Sequence, residues 1–377
     1  MKISKLCAEL GMTLPLFAFT RSPEVVVAVS KAGGMGVQAA IGFSPDELRR
    51  CLDHIKANVG DKPFGVDVVM PAGFVTPDGQ KAKSASGSAM ADAADYKKQL
   101  PAAQLRFLNE LLERYEVPPL PPETSADLAM NNWTDQVSRK QVAVALEYPI
   151  RLIANALGPP PKDVIAQCHA KGVKVAALVG SVEHARKQVE QGVDVIVAQG
   201  TEAGGHCGEI GTMVLVPEVV DAVAPVPVVA AGGIGTGRQL AAALALGAQG
   251  AWAGSIWLTT AEGQTDKSVT RKLLAATSSD TVRSRAISGK PARQLKSTWS
   301  EAWDDPKNPQ PLPMPLQFLL TAEAIARIHD HARKTGHDEL VTSPVGQIVG
   351  TMNEVRPVAD LLGDIKRELG AVFPELG

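Results

Sequence analysis

The residues able to do chemistry cluster between positions 194 and 260. His206 follows Glu202, Ala203, Gly204 and Gly205, directly after the apolar run 193–198. An imidazole with its ordinary pKa near 6.5 gives or takes a proton around neutral pH. The loop that carries it holds too much glycine to bury it by packing alone. Two more apolar runs, 226–231 and 250–253, open into glycine: Gly232, Gly233, Gly235 and Gly237 after the first, Gly254 and Ser255 after the second. A strand that ends in glycine and then starts a helix is a phosphate cradle, because bare N–H groups approach the anion and the helix N-terminus favours its charge. Two cradles on successive strands suit a phosphate site after strands seven and eight of a (β/α)8 barrel. The glycines at 233, 235 and 237 lack the acidic partner and first-unit context of a dinucleotide-binding turn. Glu202 reads as a loop-bracing acceptor rather than a second base. Cys207, directly after His206, invites a nucleophile reading that the residues alone do not decide.

Eight apolar runs position these loops. Strands are predicted near Leu14, Met35, Phe64, Ile150, Val173, Val195, Val226 and Gly250, with helices between most of them. Ser22 before Pro23 and Ser44 before Pro45 mark helix starts, and Ser181 marks another. Strands alternating with helices over short connections imply a parallel sheet with right-handed crossovers. Eight units favour a closed (β/α)8 TIM barrel over an open doubly wound sheet.

The rhythm breaks after strand three. Residues 70–136 show no strand signal, one helical segment at 100–115 and a proline cluster at 117–123. An insertion this long after a strand C-terminus reads as a lid over the mouth, with 81–91 its most mobile part, or as a surface excursion. The eighth helix is expected at 266–276, followed by an irregular basic segment at 283–293 and C-terminal helices near 319–333 and 358–369. The expected division is a barrel over 1–280 and a C-terminal helical extension over 281–377. That extension either caps the barrel or makes a homodimer contact, with Trp299 and Trp303 as interface anchors or as packing residues.

The 377 residues carry a net charge of −2, so nothing points to nucleic acid or an anionic membrane as partner. No apolar run approaches the roughly 20 residues of a membrane span. Cys7, Cys51, Cys168 and Cys207 suit neither a zinc site nor a disulfide framework. With no signal segment visible, the expected location is the cytoplasm. His54, His169 and His184 fall on helices and His329, His331 and His337 in the tail, with no metal-site spacing.

Three stretches together resemble the nitronate monooxygenase family: the one from 193 to 223 containing Glu202 to His206, the one from 226 to 255 containing Gly232 and Gly233, and the one from 285 to 293. The run 26–40 fits the family's first βα unit. The motifs extend over roughly 14–74 and 138–293. They are less specific against FMN-dependent enoyl reductases and quinone reductases. The resemblance implies a TIM barrel with non-covalent FMN, and His206 as the catalytic base or the residue that holds an anionic nitronate. It implies Gly232 and Gly233 as phosphate donors, Gly254 and Ser255 as the second half of the cradle, Gln199 facing the flavin and Gly205 allowing close approach. Leu16, Phe17 and Ala18 would lie along the ring. Asp67 falls where the family usually has Asn, and a carboxylate there would oppose an anionic reduced flavin. The first-strand turn departs too, with Phe17, Ala18, Phe19 and Thr20 in place of a Pro-Met-Ala type, which implies a bulkier pocket floor.

The expected reaction is oxidation of small or medium alkyl nitronates or nitroalkanes by O2 to a carbonyl compound and nitrite. A rival is a flavin reductase taking hydride from NAD(P)H to a quinone or enoyl thioester. Another is a non-catalytic FMN-binding barrel. Lys290 and Arg293 could reach an anionic group, or belong to a solvated basic loop.

Overall fold

The computed structural model describes residues 4–70, 73–75, 81–83, 100–121 and 135–376. Helix α1 (Lys5–Leu10) is capped by Ser4 and stopped by Gly11 in the left-handed region at φ 77°. It was not legible as a helix, being too short for periodicity. Its Leu6, Cys7 and Leu10 plug one end of the barrel, against Phe17, Met35 and Leu152. Strand β1 (Leu16–Thr20) leads to α2 (Pro23–Lys31), β2 (Met35–Ala39), α3 (Pro45–Val59) and β3 (Phe64–Val69). Ser44 and Glu47 form a reciprocal capping box at the start of α3.

Within the insertion a short antiparallel hairpin, β4 (Gly73–Val75) and β5 (Lys81–Lys83), corrects the expectation of no strand there. Three-residue strands fall below what alternation reveals. Helix α4 (Ala102–Arg114) follows. It packs against the C-terminal region, with Phe107 edge-on to Trp303 at 4.9 Å. The rest of the expected lid, including most of 81–91, lies outside the described residues.

The barrel resumes with α5 (Asp135–Ala145), β6 (Leu152–Ala156), α6 (Lys162–Ala170), β7 (Lys174–Val179), α7 (Val182–Gln191) and β8 (Val195–Gln199). The pair β9 (Gly205–His206) precedes α8 (Thr212–Val223), β10 (Val228–Ala231), α9 (Gly237–Ala245) and β11 (Ala251–Ala253). Strands β1, β2, β3, β6, β7, β8, β10 and β11 close into a parallel barrel. Alternation splits the apolar residues in two. Leu16, Ala18, Val66, Val68 and Ile196 face the helix layer. Phe17, Val37, Ala154, Val197 and Trp252 fill the interior.

After β11 come α10 (Lys267–Ala275), β12 (Thr281–Ser284), β13 (Ala292–Leu295), α11 (Thr298–Asp304), α12 (Leu316–Thr335) and α13 (Val358–Val372). Two expectations change here. The basic segment is not irregular: β12 and β13 pair antiparallel, and β13 pairs with β9. A hairpin edge supplies the hydrogen bonds that the bare His206 loop lacks. The helix α10 does not take the eighth barrel position, because it packs on α12. Instead α13 lies against α9 and α2, between the seventh and first helices, so the end of the chain completes the helix ring. Trp299 and Trp303 are both fully buried within the chain, 5.9 Å apart. They are packing residues.

The seat of α13 rests on Gly237. A Cβ there would lie 2.2 Å from the Ile365 carbonyl oxygen and 2.6 Å from the Leu369 nitrogen. Backbone cannot yield as a side chain can. Gly237→Ala is expected to destabilise the fold by about 1–3 kcal/mol. An unchanged denaturant midpoint would show that this contact does not hold the ring closed.

Candidate active site

The strand C-termini bring the glycine loops together. Gly232 has φ 109° and Gly233 φ 67°, both in the region that side chains avoid. The N–H groups of Gly233, Ile234 and Ser255 have no acceptor among the described residues, so they are open to an anion. A Cβ on Gly232 would sit 2.6 Å from Thr212 Oγ1 and 3.1 Å from the Gly200 oxygen. Gly233 lies against Glu202, and a Cβ on Gly254 would sit 3.5 Å from the Phe19 ring. This close-packed rim of glycines and bare N–H groups fits a phosphate.

Glu202 braces the cradle. Its carboxylate accepts from the Thr212 N–H at 3.1 and 3.0 Å and from Thr212 Oγ1 at 2.8 Å, at the start of α8. That cap substitutes for Gly211, which has no side chain to offer. Buried Arg293 donates Nε–H to the Thr201 oxygen at 2.7 Å and an Nη1–H to Thr281 Oγ1 at 3.1 Å. Arg293 therefore ties the loop to β12 rather than meeting a ligand.

A segment that the sequence did not flag completes the rim. Gly346 N–H donates to Ser255 Oγ at 2.8 Å, and Gln347 N–H donates to the Glu202 oxygen at 2.9 Å. Gly204 packs on the same segment, where a Cβ would lie 2.7 Å from the Val345 carbonyl carbon. Ser255 Oγ thus already accepts one bond and keeps its own proton to donate. Glycine at 346 is a signal only once this fold brings it against position 204.

His206 Nε2 is 2.7 Å from Ser288 Oγ. The Ser288 hydroxyl has a carbonyl acceptor in Lys290, at 3.3 Å, and takes the Lys290 N–H at 3.3 Å. Assigning the hydroxyl proton to that carbonyl makes Nε2 the donor to Ser288 and leaves Nδ1 with its lone pair. Burial, and secondarily the Lys290 charge, pull the His206 pKa down to about 4. The imidazole is neutral at pH 7. Burial also lowers the pKa of Lys290, whose side chain nevertheless reaches solvent at the rim. Burial pushes the Cys207 thiol up, away from nucleophile duty. Ser288 was missed because a serine in a basic run carries no sign of its partner.

On β1, Leu16 and Ala18 turn into the helix layer, and Phe17 stacks on Trp252 at 6.0 Å deep in the interior. The strand starts two residues later than its apolar run suggested. Phe19, on the interior face beside Trp252 at 6.3 Å, is therefore the β1 side chain at the mouth. Gln199 ends β8 on the interior alternation, half-buried. Asp67 is 3% exposed, aligned between Ala39 and Ala154, and its Oδ2 has no partner. Leaving a buried polar atom unsatisfied costs about 1–3 kcal/mol. Burial raises the Asp67 pKa well above the usual carboxylate range, against the fixed negative charge that the sequence suggests. No group of three or more His, Cys, Asp or Glu poised for a metal exists among the described residues, and none of their helices is long and apolar enough to cross a membrane.

Known proteins are similar to the chain along nearly all of its length. The nitronate monooxygenase family model matches residues 13–368, including the C-terminal segment that the motifs alone left out. A Mycobacterium tuberculosis protein named a "putative monooxygenase" is 46% identical over 362 residues, 95% of this chain and 94% of its own. The nitronate monooxygenase of Paraburkholderia phytofirmans is 29% identical over 97% of this chain and 95% of its own. Among solved structures, nitroalkane oxidase from Streptomyces ansochromogenes has a TM-score of 0.75 at 26% identity, covering 98% of this chain and 100% of that one. FabK from Thermotoga maritima has a TM-score of 0.70 at 26% identity, covering 99% and 98%.

Proposed function

The chain belongs to the nitronate monooxygenase family, and on that premise we propose that it oxidises small or medium alkyl nitronates with bound FMN and O2, releasing a carbonyl compound and nitrite. The neutral His206 beside Ser288 and Lys290 is the observation that carries this reading. When bound, FMN supplies the electron transfer that side chains cannot.

In this reading the N–H groups of Gly233, Ile234 and Ser255 hold the phosphate, with Gly232 and Gly254 permitting close approach. Phe19, Asp67, Gln199 and Gly205 border the ring. Ser288 holds His206 Nε2, so a nitronate anion is met at Nδ1 only as that nitrogen takes up a proton to donate to it. A base whose conjugate acid lies near 4 is poorly matched to removing a carbon-bound proton. The site therefore favours the nitronate anion over the neutral nitroalkane. Lys290 supplies the nearest positive charge to meet that anion. An anion arriving beside His206 raises the imidazole pKa, so binding is accompanied by proton uptake. The working location proposed is the cytoplasm.

Turnover of propyl nitronate to nitrite by the FMN-loaded protein tests the assignment. Colourless protein that takes up no FMN would end it, and flavin that no substrate reduces would leave a binding barrel. A pH titration adds a second check. The folded His206 pKa is lowered, so the unfolded chain binds its proton first and stability falls as pH drops from about 6.5 toward 4. In imidazole NMR spectra of the folded protein, the His206 signal should titrate near 4. A midpoint near 6.5 would contradict the burial that defines the site.

A further inference from the structure

Asp67 is the one site-lining acid whose carboxyl has no ion-pair or hydrogen-bond partner among the described residues. It stands on β3 with its side chain toward the barrel interior, since Val66 and Val68 on either side face the helix layer. Its register partners are alanines, Ala39 on β2 and Ala154 on β6. The nearby polar side chains are engaged elsewhere and carry no charge. Asn155 takes the Met70 N–H at 2.8 Å and gives an N–H to the Gly158 oxygen, while Ser138 donates to the Val69 oxygen at 2.7 Å. From α5, Gln141 donates to the Ala40 and Phe43 carbonyls. His206, Lys290 and Glu202 are the ionisable groups of the site, and none of them acts on Asp67, whose environment is set by burial alone.

A carboxylate enclosed this way has neither water nor a cation to stabilise its charge. An unpartnered, nearly sealed oxygen on the interior face of the barrel, two residues from the C-terminal end of its strand, also needs a hydrogen-bond partner that the described residues do not provide. We propose that Asp67 enters the site as a neutral carboxylic acid and gives its O–H to an acceptor on the edge of the flavin ring. This rests on the flavin reading above and adds the protonation state of one residue to it. In that state Asp67 presents a donor and an acceptor, as an Asn would, and does not repel negative charge on the ring. Raising the pH until Asp67 ionises removes the donor and brings a carboxylate against the ring.

Two readouts test this without turnover. The first is the infrared spectrum of the cofactor-free protein, wild type minus Asp67→Asn, at neutral pH. A carbonyl band of protonated carboxyl in the difference supports the proposal; a carboxylate pair overturns it. Should Asp67→Asn fail to fold, carboxyl NMR of aspartate-labelled wild type gives the same answer: one resonance that does not titrate in the ordinary acid range, or none. The second is FMN affinity against pH, by flavin fluorescence quenching. In wild type it should weaken by up to about tenfold per pH unit once Asp67 ionises. Asp67→Asn should lack that component while keeping the dependence that FMN itself contributes. Identical profiles in the two proteins overturn the contact. Failure to bind FMN at any pH would instead sink the flavin reading, with the infrared result still reporting on Asp67.

Discussion

Replacing His206 by Asn is expected to lower kcat/KM for propyl nitronate by about 10²–10³, the range that losing one positioned donor to an anion costs. The flavin content should be unchanged. The loop backbone that holds His206 is fixed from outside the imidazole, by β13 pairing with Gly205 and His206 and by Arg293 on Thr201. The side chain can therefore be exchanged without dissolving the loop. Gly232 and Gly233 stand against Gly200, Glu202 and Thr212, whereas His206 meets Ser288. Steady-state rates with FMN stoichiometry measured on the same samples separate the two effects. A His206→Asn protein with wild-type kcat/KM would remove His206 from the chemistry.

The second large effect is expected at Gly232. In Gly232→Ala the new methyl meets Thr212 Oγ1 and the Gly200 oxygen, at a φ of 109° that a side chain strains to adopt. A positive φ costs a non-glycine residue about 1–2 kcal/mol, and overpacking adds about 1–3 kcal/mol. Thr212 cannot simply turn aside, because its hydroxyl is bonded to Glu202 and to the Gly232 oxygen at 3.1 Å. The cradle should open and FMN affinity should fall by about 10²-fold. Equilibrium dialysis of FMN measures this directly. Unchanged affinity would mean that the phosphate is held elsewhere.

The eight strands, and the glycines that follow two of them, were legible because each is local. A strand is an apolar run of set length, and a cradle is glycine next to such a run. What escaped depends on contacts far apart in sequence. Ser288 meets His206 across 82 positions, and Gly346 meets Ser255 across 91. The eighth helix was misplaced because amphipathic periodicity shows that a helix buries a face, and not which neighbour covers it. Helix α10 satisfies the pattern as well as α13 does, and only the packing at Gly237 decides between them. The enclosure of Asp67 escaped for the same reason. A side chain's usual pKa holds in water, and burial was not visible in the letters. On β1 a two-residue slip kept the strand but moved the pocket-facing side chain from Phe17 to Phe19.

The central claim is that this barrel passes electrons from a nitronate, at His206, to a flavin. The most direct test is the flavin absorbance of the FMN-loaded protein mixed without oxygen, separately with propyl nitronate, NADH and NADPH. The account predicts bleaching by the nitronate, lost in His206→Asn. Bleaching by NADH or NADPH alone, with none by the nitronate, would contradict it and make the protein a reductase.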